Sequence, residues 1–164
     1  LCRIVTMEEL RDCVLRVGER TGRAERARAL LKRMARLFER AVKPAERRPA
    51  LLVLNPSPII VATRSSFPAQ VARLAGLEPL PSGQGPDYPR LSYEQVAALA
   101  PKLIIDLVHR PGGNDRGLRR HMSVAAPGAA IHRVDPDGLA RPGPRLLDGL
   151  RALKAIAPRR LSPP

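Results

Sequence analysis

Two short apolar runs, at residues 50–54 and 103–108, constrain the fold of this chain more than any other feature. Each is too short for an ordinary helix and is bounded by residues that break or turn the chain, the pattern of strands buried on both faces. Shorter runs at 59–62 and 130–134 read the same way. Helix signals separate them. Ser66 is followed by Phe67 and Pro68, with proline in the first turn where its missing N–H costs nothing, and Gly76 stops the helix. Ser92 has Gln95 three residues on, a capping box that opens a helix over 93–100, and residues 145–156 form a last helix ending before Pro158. Alternating strands and helices predict an α/β fold with a mainly parallel sheet flanked by helices. Residues 78–90, rich in Gly and Pro, and the irregular stretch 110–128 read as connections.

The first quarter of the chain has a different character. Residues 2–5 are β-like, and Thr6 with Glu9 opens a helix over 7–17 that stops at Gly18. After a turn at Thr21 and Gly22, apolar residues Ala27, Leu30, Leu31, Met34, Leu37, Phe38 and Ala41 recur every three or four positions. That period predicts one long helix over 23–42, roughly 30 Å from end to end. Pro44 and residues 46–49 end it, which divides the chain into 1–45 and 46–164.

Charge and composition limit what such a fold can do. The 164 residues carry a net charge of +14, from 25 Arg and 4 Lys against 15 acids. The arginines are scattered among apolar positions, so a folded basic domain is expected rather than a disordered tail. Two Tyr, two Phe and no Trp leave little for bases to stack on, which disfavours single-stranded nucleic acid; duplex binding remains open on charge alone. The most apolar stretch is interrupted by Asn55 and Pro56, so no membrane span is expected, and the first residues carry no export signal. Cys2 and Cys13 read as packing thiols, and His109, His121 and His132 are too dispersed for a metal site, so neither metal nor cofactor is expected. Arg119-Arg120-His121 reads as the wet face of a helix. No G-x-S-x-G, H-E-x-x-H, P-loop or G-x-G-x-x-G motif occurs, so no enzyme is expected.

Four segments in order carry a resemblance. Thr21-Gly22-Arg23 leads into the long helix, and residues 51–76 end in Val71-Ala72-Arg73-Leu74-Ala75-Gly76. Tyr88-Pro89-Arg90-Leu91-Ser92-Tyr93-Glu94-Gln95 is followed by Ala100-Pro101-Lys102-Leu103-Ile104-Ile105, and Arg141-Pro142-Gly143-Pro144-Arg145 opens the last helix. The chain resembles the periplasmic substrate-binding proteins of ABC importers for cobalamin, ferric siderophores and haem. The resemblance implies a backbone helix joining two Rossmann-like lobes, of which this chain holds the end of the first lobe, the helix and the C-terminal lobe, with the N-terminal lobe missing. Lys102 stands where the family usually has Asp, and the tryptophan often found near His121 and Met122 is absent.

The same resemblance implies roles for individual residues. Glu94 occupies the position of the acid that docks onto arginines of the membrane permease. Tyr88, in the loop before that helix, is where an aromatic ring meets the ligand, a metal chelate or corrinoid. Asp137 and Arg141, between the last strand and last helix, border the cleft, as do Ile60, Thr63 and Arg64. The implied location is periplasmic or extracytoplasmic. Half a cleft cannot enclose a ligand, and apolar surface left by a missing lobe would favour self-association. The alternative reading is a basic α/β domain associated with nucleic acid or serving as an interaction module, although no specific nucleic acid is expected.

Overall fold

The computed structural model describes residues 7–38, 43, 46–63, 66–83, 85–108, 116–139, 143 and 145–157. The chain opens with a helical hairpin, α1 (Met7–Arg20) and α2 (Ala24–Phe38). It continues with β1 (Arg48–Pro56), β2 (Ile59–Val61), α3 (Phe67–Leu74), β3 (Leu77–Leu80), β4 (Arg90–Leu91), α4 (Tyr93–Leu99), β5 (Leu103–Asp106), α5 (Arg116–Ala125), β6 (Ala130–Arg133), a 3-10 turn (Pro136–Gly138) and α6 (Leu146–Ile156).

The sheet runs β4-β2-β1-β5-β6, with β3 also on β1. β1 pairs in parallel with β5, and β5 with β6. The other edge of β1 is shared. Its first half takes β3 in parallel, and its second half takes β2 antiparallel, with a register irregularity between Val53 and Asn55. β4 then adds antiparallel to β2. The sheet is therefore parallel at its centre and antiparallel at the β2–β4 edge.

Side chains alternate between two cores, as a pleated strand requires. Leu52, Leu103 and Ile105 face one core with Leu10 of α1, Met34 of α2, Phe67 and Val71 of α3, and Leu146 and Leu150 of α6. Leu51, Val53 and Ile104 face the other with Val96 of α4 and Leu118 and Met122 of α5. Both faces are covered, which is why β1 and β5 read as continuous apolar runs.

Several local expectations are corrected. α1 passes through Gly18 and ends at Arg20, because a Cβ at Gly18 would lie 2.5 Å from the Cβ of Ala27; the glycine lets α2 approach. The turn expected at Thr21 and Gly22 is present, and the positive φ of 68° at Gly22 suits glycine. α2 is described over 15 residues, about 22 Å, and residues 39–42 of the predicted helix lie outside the described set, as do residues 2–5. The stretch 78–90 contains most of β3 and half of β4, and 110–128 contains α5. Val17 is the one exposed large apolar side chain of the hairpin among those described, and on α2 Ala27 and Met34 are buried while Leu30 and Leu31 are half-buried.

Candidate functional site

Among the candidate side chains, Glu94 sits at a predicted helix start. Ser92 caps α4: its hydroxyl accepts from the Gln95 N–H at 3.2 Å, and the Gln95 side chain accepts from the Ser92 N–H at 2.8 Å. Glu94 therefore sits in the first turn of a fixed helix, exposed. The Ser92 hydroxyl, and after it the Glu94 backbone amide, hold its carboxyl below the usual carboxylate range. A fully hydrated, ionised acid at a helix N-terminus can accept from an arginine of a partner without rearranging.

Beside it, Tyr93 contacts α5. Its hydroxyl is hydrogen-bonded to Nδ1 of His121, and the rings stack with centroids 5.8 Å apart. His121 is half-buried and Met122 fully buried, so the region without the family's tryptophan is filled by a methionine in the core and a histidine against a tyrosine. Lys102 is exposed.

Tyr88 lies in the loop between β3 and β4, with 47% of its surface exposed. Burial of the remainder, and secondly the Asp87 carboxylate, push its hydroxyl pKa up, so the ring presents a neutral, protonated phenol. Thr63 fixes this loop. Buried at the end of β2, its hydroxyl reaches the carbonyls of Pro86 at 3.0 Å and Asp87 at 3.2 Å, and its N–H donates to the Asp87 carbonyl at 3.1 Å. One step earlier, the Val61 N–H donates to the Pro89 carbonyl. A shallow pocket of about 110 Å³ lies between Thr63 and the loop, lined by Pro81, Ser82, Gly83, Gly85, Pro86 and Pro89.

Ile60 is half-buried on β2, in register with Arg90 of β4. Ile60, Thr63 and Tyr88 thus lie along the β2–β4 edge of the sheet. Asp137 does not join them. It sits in the 3-10 turn after β6, on the opposite edge of the sheet, where Arg145 approaches its carboxylate at 3.5 Å. Four strand spacings separate the two edges, roughly 19 Å if the sheet were flat. Arg64 and Arg141 lie outside the described residues. Among the described residues, no group of three or more His, Cys, Asp or Glu could hold a metal ion. No described helix is long and apolar enough to cross a membrane.

The family model for periplasmic binding proteins matches residues 4–123, well over half of the chain. The chain belongs to the periplasmic binding protein family. The family's description names binding rather than catalysis. Among solved structures, a periplasmic haem-binding protein of Pseudomonas aeruginosa is 28% identical, with a TM-score of 0.71 over 92% of this chain and 60% of its own. The vitamin B12 binding protein of Vibrio cholerae is 18% identical, with a TM-score of 0.70 over 94% of this chain and 62% of its own. A protein of an Fe3+-hydroxamate transport system from Saccharomonospora viridis is 16% identical, with a TM-score of 0.71 over 93% and 56%. The last two likenesses show the fold alone. The chain spans less than two thirds of the length of each. No curated protein sequence matches it.

Proposed function

We propose that this chain supplies the backbone helix and C-terminal lobe of an ABC importer's binding protein for a metal chelate or corrinoid. Residues 1–45 contribute the end of the first lobe and the joining helix, and residues 46–164 contribute the lobe that closes on the ligand. The observation that carries this reading is the family match, supported by the 28% identity to a haem-binding periplasmic protein. The edge bearing Ile60, Thr63 and Tyr88 suits the ligand: a half-exposed neutral phenol on a tethered loop offers a flat, amphipathic face to a macrocycle or catecholate. Asp137, Arg64 and Arg141 contribute charge at the rim. Glu94, kept ionised, docks the lobe onto arginines of the permease.

The test is calorimetric titration of the complete two-lobed protein with haemin, cyanocobalamin and a ferric hydroxamate. We expect saturable one-to-one binding to one of the three, weakened about three- to tenfold by Tyr88→Ala, since an aromatic contact is worth about 0.5–1.5 kcal/mol. Glu94→Lys leaves that binding unchanged, because docking and ligand capture use different surfaces. No saturable binding to any of the three contradicts the proposal.

A further inference from the structure

Helix α2 carries Arg26, Arg28, Lys32, Arg33 and Arg36 against a single carboxylate, Glu25. All six side chains are exposed. Glu25 is taken by Arg28 at 2.8 Å, and among the described residues no acid is paired with the other four cations. Helical geometry sets the five in two rows along the outer crest. Arg28, Lys32 and Arg36 lie one turn apart, and Arg26 and Arg33 two turns apart, over about 15 Å. Like charges one turn apart repel, so the arrangement weakens the helix that bears it. The neighbouring α1 has no such bias, with four acids against three arginines. On the inner side of α2, Ala27 and Met34 are buried, which holds the basic crest outward and leaves no apolar face to insert elsewhere.

We infer that this crest of α2 is a docking surface for an anionic phospholipid bilayer, bound at headgroup level by charge alone. A crest of five cations, four of them without a paired acid among the described residues, complements a plane of phosphates, and each basic side chain near such a surface adds to the attraction. The family is periplasmic, which puts a membrane surface rather than nucleic acid within its reach. The inference does not depend on which ligand the lobe binds.

Vesicles of phosphatidylcholine, alone or with about 30% phosphatidylglycerol, test it by co-sedimentation of the whole chain. At about 50 mM salt the anionic vesicles should take up about tenfold more protein, and about 500 mM salt should abolish the difference. The double variant Arg26→Glu/Arg33→Glu should lose about tenfold in uptake, and Lys32→Gln/Arg36→Gln should lower it in the same direction. The control Lys102→Glu/Arg120→Glu makes the same change in net charge at exposed sites away from α2, and should lose less than about threefold. All variants change exposed side chains, and circular dichroism checks their folding. Equal losses in the α2 and control charge reversals, or no preference for anionic vesicles, overturn the inference. So does displacement from the vesicles by duplex DNA at equal phosphate concentration, which would make nucleic acid the partner.

Discussion

Glu94 combines two requirements that usually conflict, full hydration and a held geometry. The capped first turn provides the geometry, and the Ser92 hydroxyl and the local amide favour the ionised form. A carboxyl whose folded pKa is depressed adds stability that is complete above its unfolded pKa and is lost as pH falls through the folded one. The stability Glu94 contributes is therefore complete at neutral pH and is lost as pH falls from the ordinary glutamate value through the depressed one. An NMR titration of the side-chain carboxyls should give Glu94 a midpoint below the ordinary glutamate value. Ser92→Ala should raise that midpoint and cost about 1 kcal/mol of stability through loss of the cap. A Glu94 midpoint at the ordinary value, unmoved by Ser92→Ala, would remove this account of the residue. Thr63 is the counterpart for Tyr88. Its bonds to the carbonyls of Pro86 and Asp87 cross more than twenty positions of sequence, so no local motif announces them. From sequence alone, Thr63 is one more polar residue after a strand.

At the scale of elements, what was legible was what carried its own punctuation. α3, α4 and α6 begin and end close to where Ser66, Ser92, Gly76, Pro101 and Pro158 mark them, because caps and proline act within a turn of their position. α5 was not read because it opens with Arg116 and Gly117 and shows only Leu118, Met122 and Ala125 on its inner face, a sparse pattern amid arginines. β3 was missed because Pro79 and Glu78 argue against a strand, yet proline is tolerated there since β3 pairs on one side only, with β1. Gly18 reads in sequence as a terminator, whereas its role is close packing. A similar contact joins the 3-10 turn to α6: a Cβ on Gly149 would lie 2.5 Å from the Gly138 carbonyl oxygen. Gly149→Ala would gain about 1 kcal/mol in helix propensity. It also forces backbone against backbone, where overpacking costs about 1–3 kcal/mol, so the net effect should be destabilising. Urea unfolding checks the sign; a stabilised variant would show that the turn bearing Asp137 can move away from α6.

For the whole molecule, the sheet ties these elements into two faces with different occupants. The hairpin α1–α2 lies over the same core as α3 and α6, so Leu10 and Met34 share a core with β1 and β5. The α4–α5 layer, across the sheet, carries Glu94 and the Tyr93–His121 pair. Ile60, Thr63 and Tyr88 lie at the β2–β4 edge and Asp137 at the β6 edge, so a ligand that met both, as proposed, would span a broad surface rather than fill one enclosed pocket. That breadth suits a macrocyclic chelate held against a second lobe. The central claim is that the edge bearing Ile60, Thr63 and Tyr88 receives such a ligand. Its most direct test is amide chemical-shift mapping of the complete two-lobed protein with gallium protoporphyrin, cyanocobalamin and a gallium hydroxamate added in turn. The account predicts that one of the three produces saturable shifts concentrated at residues 60–63 and 81–91. Absence of saturable shifts with all three, or shifts confined to α1 and α2, would contradict it.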